Sequence, residues 1–291
     1  MTPAATLRGT LGDGDSRLVV SAYDALTART AEAAGFEILH VTGFGSAAAL
    51  TGGPDIGLVT MTETVEATRR ICDAVERPVI ADADCGYGNP LNVMRTVRAL
   101  ETAGAAGLHL EDQVTPKRCG HMAHKAVIPT AEMVVKIAAA VDARRDEDFV
   151  IIARTDARAP EGLDAALERA HAYASAGADV LFVEAPESVD EIRRIATESP
   201  GPQLFNWAYE GRTPHVSRRL LEELGFAWIL FADVALAVHR AAAGFYERLA
   251  EIDSPDELRD LLTGFDAFNT FVGLDDWRET ERRYAAPNTA E

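Results

Sequence analysis

The sequence predicts an α/β fold, a closed (β/α)8 barrel of the TIM type with a C-terminal helical extension. Three observations predict it. Eight short apolar runs of β character recur along the chain, each followed by a stretch with helical caps and periodicity. Those runs are apolar on both faces, as in a parallel sheet buried on each side. All eight units fit within 291 residues without a composition shift that would mark a linker, a normal size for one barrel. An open doubly wound sheet is the runner-up, and the first strand–helix turn lacks the G-x-G-x-x-G such sheets use for dinucleotides.

The elements follow in order. Residues 1–16 are small and polar, with Gly9, Gly12 and Gly14, and read as a loosely held lead-in. A strand over 18–23 is followed by Asp24, a helix cap, and a helix over 25–34 that stops at Gly35. A second strand, 38–42, ends in Gly43-Phe44-Gly45-Ser46. The alternation continues as helix 62–75, strand 78–83, helix 90–103, strand 107–111, helix 130–144 and strand 149–154. It closes as helix 163–176, strand 180–184, helix 189–197, strand 203–206, helix 216–224, strand 227–231 and a long helix over 234–251. This gives a barrel domain over 1–252 and a tail over 253–291, in which Phe265, Phe268, Phe271 and Trp277 need a surface to cover them. That surface is either the same barrel or a neighbouring subunit.

A formal net charge of -18 opposes nucleic acid and anionic membranes as partners. No run reaches transmembrane length. Three cysteines, with no C-x-x-C pair, suit a reducing compartment better than a disulfide framework. The first residues lack the basic head and apolar core of a signal peptide, so the expected location is the cytoplasm.

Barrel active sites lie at the C-terminal ends of the strands. The polar groups there are Asp24, Thr42 with Gly43 and Ser46, Asp82 with Asp84, Glu111 with Asp112, Arg154 with Asp156, Glu184 and Asn206; Asp55 in the loop 52–57 joins them. Asp82 and Asp84, two apart, are expected on one face. Carboxylates without a histidine partner prefer a hard ion, Mg2+ or Mn2+ in its place; the alternative is a salt-bridge network with Arg118 or Arg154. The loop after Glu111 carries Lys117, Arg118, Cys119, Gly120 and His121. Nearby cations are expected to lower the Cys119 thiol's pKa and suit it to proton transfer, and Gly120 suits a loop that closes over substrate. The Gly43 segment reads as a glycine turn whose N–H groups cradle a carboxylate, or as a tight turn alone. Arg154 is a fork for a second carboxylate, Asn206 could assist it, and Glu184 could hold it in place. His40 and His109 read as packed neutral histidines, and His121 as the better catalytic candidate.

Together these residues resemble the isocitrate lyase / phosphoenolpyruvate mutase superfamily, most nearly its methylisocitrate lyase and carboxyphosphonoenolpyruvate phosphonomutase group. The likeness spans roughly 18–250. It rests on Ser21-Ala22-Tyr23-Asp24, Gly53-Pro54-Asp55-Ile56-Gly57 and Asp82-Ala83-Asp84-Cys85-Gly86-Tyr87-Gly88-Asn89. It also rests on Glu111-Asp112-Gln113, Lys117-Arg118-Cys119-Gly120-His121 and Ala153-Arg154-Thr155-Asp156-Ala157. The resemblance implies a Mg2+-dependent barrel acting on α-keto or α-hydroxy carboxylates. It implies Asp84, with Asp82, Asp55 and Glu111 through water, around the metal. Tyr23, Thr42, Gly43 and Phe44 would lie at the pyruvate-like half of the substrate. Lys117 to His121 would form a gating loop with Cys119 as the acid, and Arg154, Glu184 and Asn206 would handle the rest. It also implies a C-terminal helix swapped between subunits of a homodimer or homotetramer. The chain departs from the family pattern at Asn206-Trp207-Ala208-Tyr209-Glu210 and Phe231-Ala232-Asp233-Val234-Ala235, segments that would face the non-pyruvate half.

The expected activity is carbon–carbon cleavage of a substituted malate- or methylisocitrate-like 2-hydroxy acid to an α-keto acid and a second carboxylate. The alternative is a phosphonomutase forming a P–C bond. A third reading is a non-catalytic carboxylate-binding barrel.

Overall fold

The computed structural model describes residues 1–285. A first helix, α1 (Pro3–Gly9), precedes β1 (Arg17–Ala22), α2 (Ala25–Ala33), β2 (Ile38–Val41), α3 (Gly43–Thr51) and α4 (Met61–Cys72). Then come β3 (Val79–Asp82), α5 (Pro90–Thr102), β4 (Gly107–Glu111), α6 (Thr130–Ala143) and β5 (Val150–Thr155). The chain continues through α7 (Arg158–Glu161), α8 (Leu163–Ser175), β6 (Val180–Val183), α9 (Val189–Glu198), β7 (Leu204–Asn206), α10 (Arg218–Glu223) and β8 (Trp228–Phe231). The strands are parallel, in the order β6-β5-β4-β3-β2-β1-β8-β7, and a bridge between Leu181 and Gln203 joins the two edges. The barrel is therefore nearly closed, as the sequence predicts.

Alternation along each strand decides what points inward. Ile38, Ile80, Ile152, Phe182 and Leu204 fill the lower interior. Their neighbours Leu39, Ala81, Ile151, Leu181 and Phe205 face the helices. Two residues beyond each inward apolar side chain stand His40, Asp82, Arg154, Glu184 and Asn206. Polar groups thus crown an apolar plug at the end where the strands finish.

Two early elements differ from expectation in a way that bears on the barrel interior and mouth. The lead-in is a helix: Thr2 caps α1, Pro3 starts it, and Leu7 is fully buried among the lower interior side chains. Arg8 ties it down through Phe149 O and Asp179 Oδ1. The Gly43 segment is no turn but the first turn of α3. The Thr42 hydroxyl accepts the Gly45 N–H, and the three alanines that follow supply helix propensity.

Met1–Ala235 forms one compact unit and the chain from Leu236 another. The division falls inside α11 (Val234–Leu249), earlier than residue 252, and α11 buries none of its residues. The second unit continues with a 3-10 turn at Pro255–Leu258, α12 (Phe265–Phe271) and α13 (Leu274–Tyr284). In it Phe265, Phe268 and Trp277 are exposed. No helix among the described residues is long and apolar enough to cross a membrane.

Candidate active site

The acidic side of the mouth is built by β3 and the turn behind it. β3 ends at Asp82, so strand parity does not bring Asp84 beside it. The backbone does so by turning left-handed, with φ of 45° at Asp84 and 57° at Tyr87. Asp84 N–H then donates to Asp82 Oδ1 at 3.0 Å, and Glu111 N–H to Asp84 O at 2.9 Å. Gly43 N–H donates to Asp82 Oδ2 at 3.1 Å, and a Cβ at Gly43 would strike that oxygen. Lys117 lies buried between two carboxylates, 2.7 Å from Asp55 Oδ1 and 2.8 Å from Asp84 Oδ1. Burial pushes the Asp84 carboxyl up to about 6, against the pull of Lys117. Burial also pushes Glu111 well above the carboxylate range, against the pull of Arg154.

Asp55, Asp82 and Asp84 line a small cavity, of about 10 Å³, with Ser46, Thr64 and Tyr87. Its chemistry fits a hard divalent cation: buried carboxylate oxygens, and a pocket that already draws in the Lys117 ammonium. Among the described residues no three His, Cys, Asp or Glu side chains converge to grip an ion directly.

The flap is pinned at its base, where Val114 N–H donates to Ala126 O and Ile128 N–H to Asp112 O, both at 2.8 Å. Gln113 holds the Arg118 backbone from both sides, at 2.8 and 2.9 Å. Cys119 N–H donates to Asp55 O at 3.1 Å. The thiol departs from expectation: burial raises its pKa, and the nearby Arg154 does not overcome that. Cys119 is therefore held protonated, the state an acid needs. Gly120 lies against Arg154 and Glu184 so closely that no Cβ fits.

Arg154 forms the far wall. Its Nε is 2.9 Å from Asp156 Oδ2 and 3.3 Å from Glu111 Oε2, and Nη1 is 3.7 Å from Glu184 Oε2. The flap reaches this wall through His121, whose Nε2 lies 3.2 Å from both Glu184 Oε1 and Asn206 Nδ2. Arg212 N–H donates to His121 Nδ1 at 3.2 Å, which puts the hydrogen of a neutral ring on Nε2, facing Glu184.

The structure thus gathers Asp55, Asp82, Asp84, Glu111, Lys117, Cys119, Gly120, His121, Arg154, Glu184 and Asn206 at one mouth. Thr42 caps the helix beside it, and Tyr23 lies against Gly45. Phe44 is half-buried in the same turn, and the Arg118 side chain is exposed. Asp112 faces the other way: it accepts from Thr155 Oγ1, Asp156 N, Arg169 and Tyr173 in the layer outside the sheet. Trp207 also points outward, packing on the outer core with its indole N–H on Val216 O, so its bulk stays out of the mouth. Asp233 accepts the Tyr209 N–H at 2.7 Å. His40 and His109 are packed as expected; burial holds His40 down to about 3 and lowers His109. Sequence reasoning passed over Lys125, whose ammonium is buried beside Asp156. A signal was present: the chain has three lysines among 28 basic side chains, and all three are buried.

Comparison with known proteins agrees with this geometry. The phosphoenolpyruvate phosphomutase family profile matches residues 10–252. The chain is 44% identical to 2,3-dimethylmalate lyase of Eubacterium barkeri over 286 residues, covering 98% of this chain and 99% of that protein. It is 42% identical to 2-methylisocitrate lyase of Escherichia coli over 252 residues, covering 86% of this chain and 85% of that one. A solved structure of phosphonopyruvate hydrolase with oxalate and Mg2+ superposes with a TM-score of 0.89 at 30% identity, over 98% of this chain and 99% of the other. An eight-stranded barrel with this crown of carboxylates, one guanidinium and a cysteine-bearing flap, together with those matches, shows that the chain belongs to the phosphoenolpyruvate phosphomutase family of the isocitrate lyase superfamily.

Proposed function

We propose that this protein is a carbon–carbon lyase that cleaves a substituted malate-like 2-hydroxy acid into an α-keto acid and a second carboxylate. One observation carries the reading: the Cys119 thiol stands on the loop between Lys117, which pairs with Asp55 and Asp84 of the carboxylate-lined cavity, and Gly120, which packs against Arg154 and Glu184. A Mg2+ ion in the cavity, or Mn2+ in its place, would supply positive charge where the oxyanion of the keto fragment develops. Asp84, Asp82, Asp55 and Glu111 would hold it, largely through water. The keto-acid carboxylate would lie at the α3 N-terminus, beside Thr42, Gly43 and Phe44, on the positive end of the helix. Arg154 and Asn206 would bind the second carboxylate. The hydroxyl proton leaves to a base, for which Glu184 is the group at hand, with His121 Nε2 beside it. The carbon–carbon bond then breaks, the hydroxyl carbon becomes the keto carbon, and the electron pair goes to the departing carbon. The Cys119 thiol protonates that carbon.

The test incubates the protein with 2,3-dimethylmalate and with 2-methylisocitrate and follows pyruvate release, with Mg2+ and then with a chelator. Release should require the ion. Cys119→Ser should lower kcat by about 10³-fold while Mg2+ binding, measured by calorimetry, stays unchanged. Unchanged turnover in the variant would remove Cys119 from the mechanism. The family profile's own reaction favours a second reading, a P–C bond-forming phosphonomutase. New 31P signals from a phosphoenolpyruvate-type substrate, without pyruvate release from either acid, would favour it. As to assembly, the exposed aromatics of α12 and α13 support a homodimer or homotetramer, and the free cysteines suit the cytoplasm.

A further inference from the structure

Lys125 has no part in the reading above, yet its setting is costly. The ammonium is buried and donates to two acceptors, the Gly120 carbonyl at one side and Asp156 Oδ1, at 2.6 Å, on the other. Asp156 is itself fully buried and grips Arg154 through Nε at 2.9 Å and Nη2 at 3.1 Å. One carboxylate therefore serves two cations: the guanidinium of the far wall and the ammonium that holds the flap. The acceptor on the flap is the carbonyl next to Cys119, at the residue that touches both Arg154 and Glu184. The residue before Lys125, His124, has a φ of 62°, a conformation non-glycine side chains adopt rarely. The backbone is held in that strained state at the point where it turns the lysine inward. This chain uses arginine almost everywhere on its surface and keeps lysine for three buried places. A compact point charge suits a gap between a carbonyl and a carboxylate, where a wide planar fork does not.

We propose that Lys125 is a positioning residue for the reaction at this site: it latches the flap shut through Gly120 and, through the shared Asp156, aligns Arg154 in the same event. The proposal rests on the reading that the flap closes over a carboxylate, but not on which acid is cleaved. Opening the flap withdraws an acceptor from Lys125 and loosens its hold on Asp156. Closing restores both and sets the guanidinium.

The experiment labels Cys119 with iodoacetamide, with and without Mg2+ and oxalate, and quantifies the labelled peptide by mass spectrometry. The proteins are the wild type, Lys125→Gln and Lys125→Arg. Oxalate should slow labelling about tenfold or more in the wild type, as expected if the open state becomes a minor population. The protection should vanish in Lys125→Gln and be partial in Lys125→Arg. With a turned-over acid, kcat should fall about 100-fold in Lys125→Gln with KM nearly unchanged, the size expected of a misplaced group. If Lys125→Gln does not fold, Lys125→Arg carries the same comparison. Wild-type protection in either variant, or none in the wild type, overturns the latch. A variant that is only less heat-stable, with kcat and protection intact, assigns Lys125 a structural role instead. Wild type that is protected yet cleaves no acid leaves the latch standing and overturns the lyase reading.

Discussion

His40 and His109 lie stacked inside the barrel, Nε2 to Nε2 at 3.0 Å, with His109 3.5 Å from Asp82. Burial, and then the neighbouring His109, hold His40 down to about 3 from an ordinary 6.5. In the unfolded chain His40 takes up a proton below about 6.5. In the fold it does so only near 3. Between those values the unfolded state binds the extra proton, so stability present above pH 6.5 is lost as the pH falls. His40→Phe should remove this limb. Urea midpoints measured from pH 7 to pH 4 should fall less steeply in the variant, by about 1 kcal/mol per pH unit. Equal slopes would mean that His40 is protonated in the fold. The sequence suggested both histidines were packed, because they sit within apolar strands. It could not say that they face one another.

At the scale of elements, alternation does most of the sorting. β4 turns Glu111 into the mouth and the next residue, Asp112, outward among β5 and α8. There Asp112 takes the Tyr173 hydroxyl and the Thr155 hydroxyl, each at 2.7 Å. It thereby stitches β4 to β5 and to α8 from behind the sheet. Tyr173→Phe should cost about 1–2 kcal/mol of stability, because it leaves part of a buried carboxylate without a donor. Turnover should stay near wild type. A large loss of turnover with little loss of stability would mean that Asp112 acts in the mouth after all. The α3 segment teaches a related lesson. Two glycines suggested a turn, but the Thr42 cap and the alanines behind it make a helix. The Gly43 N–H still points at the mouth, where it donates to Asp82 Oδ2, now from a helix N-terminus.

At the scale of the molecule, a net charge of -18 surrounds a site meant for anions. The cations at the mouth, Arg154 and Lys117, are buried and already paired with carboxylates, so the positive charge that an anion needs there would be completed by a bound divalent ion. The second unit carries the aromatics that the sequence left without a cover. Phe268→Glu with Trp277→Glu should shift the protein to a smaller species in size-exclusion chromatography with light scattering, since paired charges oppose burial of that face. An unchanged mass would mean those side chains are not in a subunit interface.

Strand periodicity, helix caps and the positions of acidic residues at strand ends were readable one residue at a time, and they determine the barrel and most of the mouth. Local propensity and parity need no knowledge of distant neighbours. What only the tertiary structure decided is which side of a strand end is the site, and what state its groups hold. Asp112 and Trp207 turned outward, Lys125 turned inward, and burial raised the Cys119 thiol's pKa despite nearby cations. Each of these depends on burial and on partners far away in the chain, and desolvation by such partners is invisible in a linear pattern.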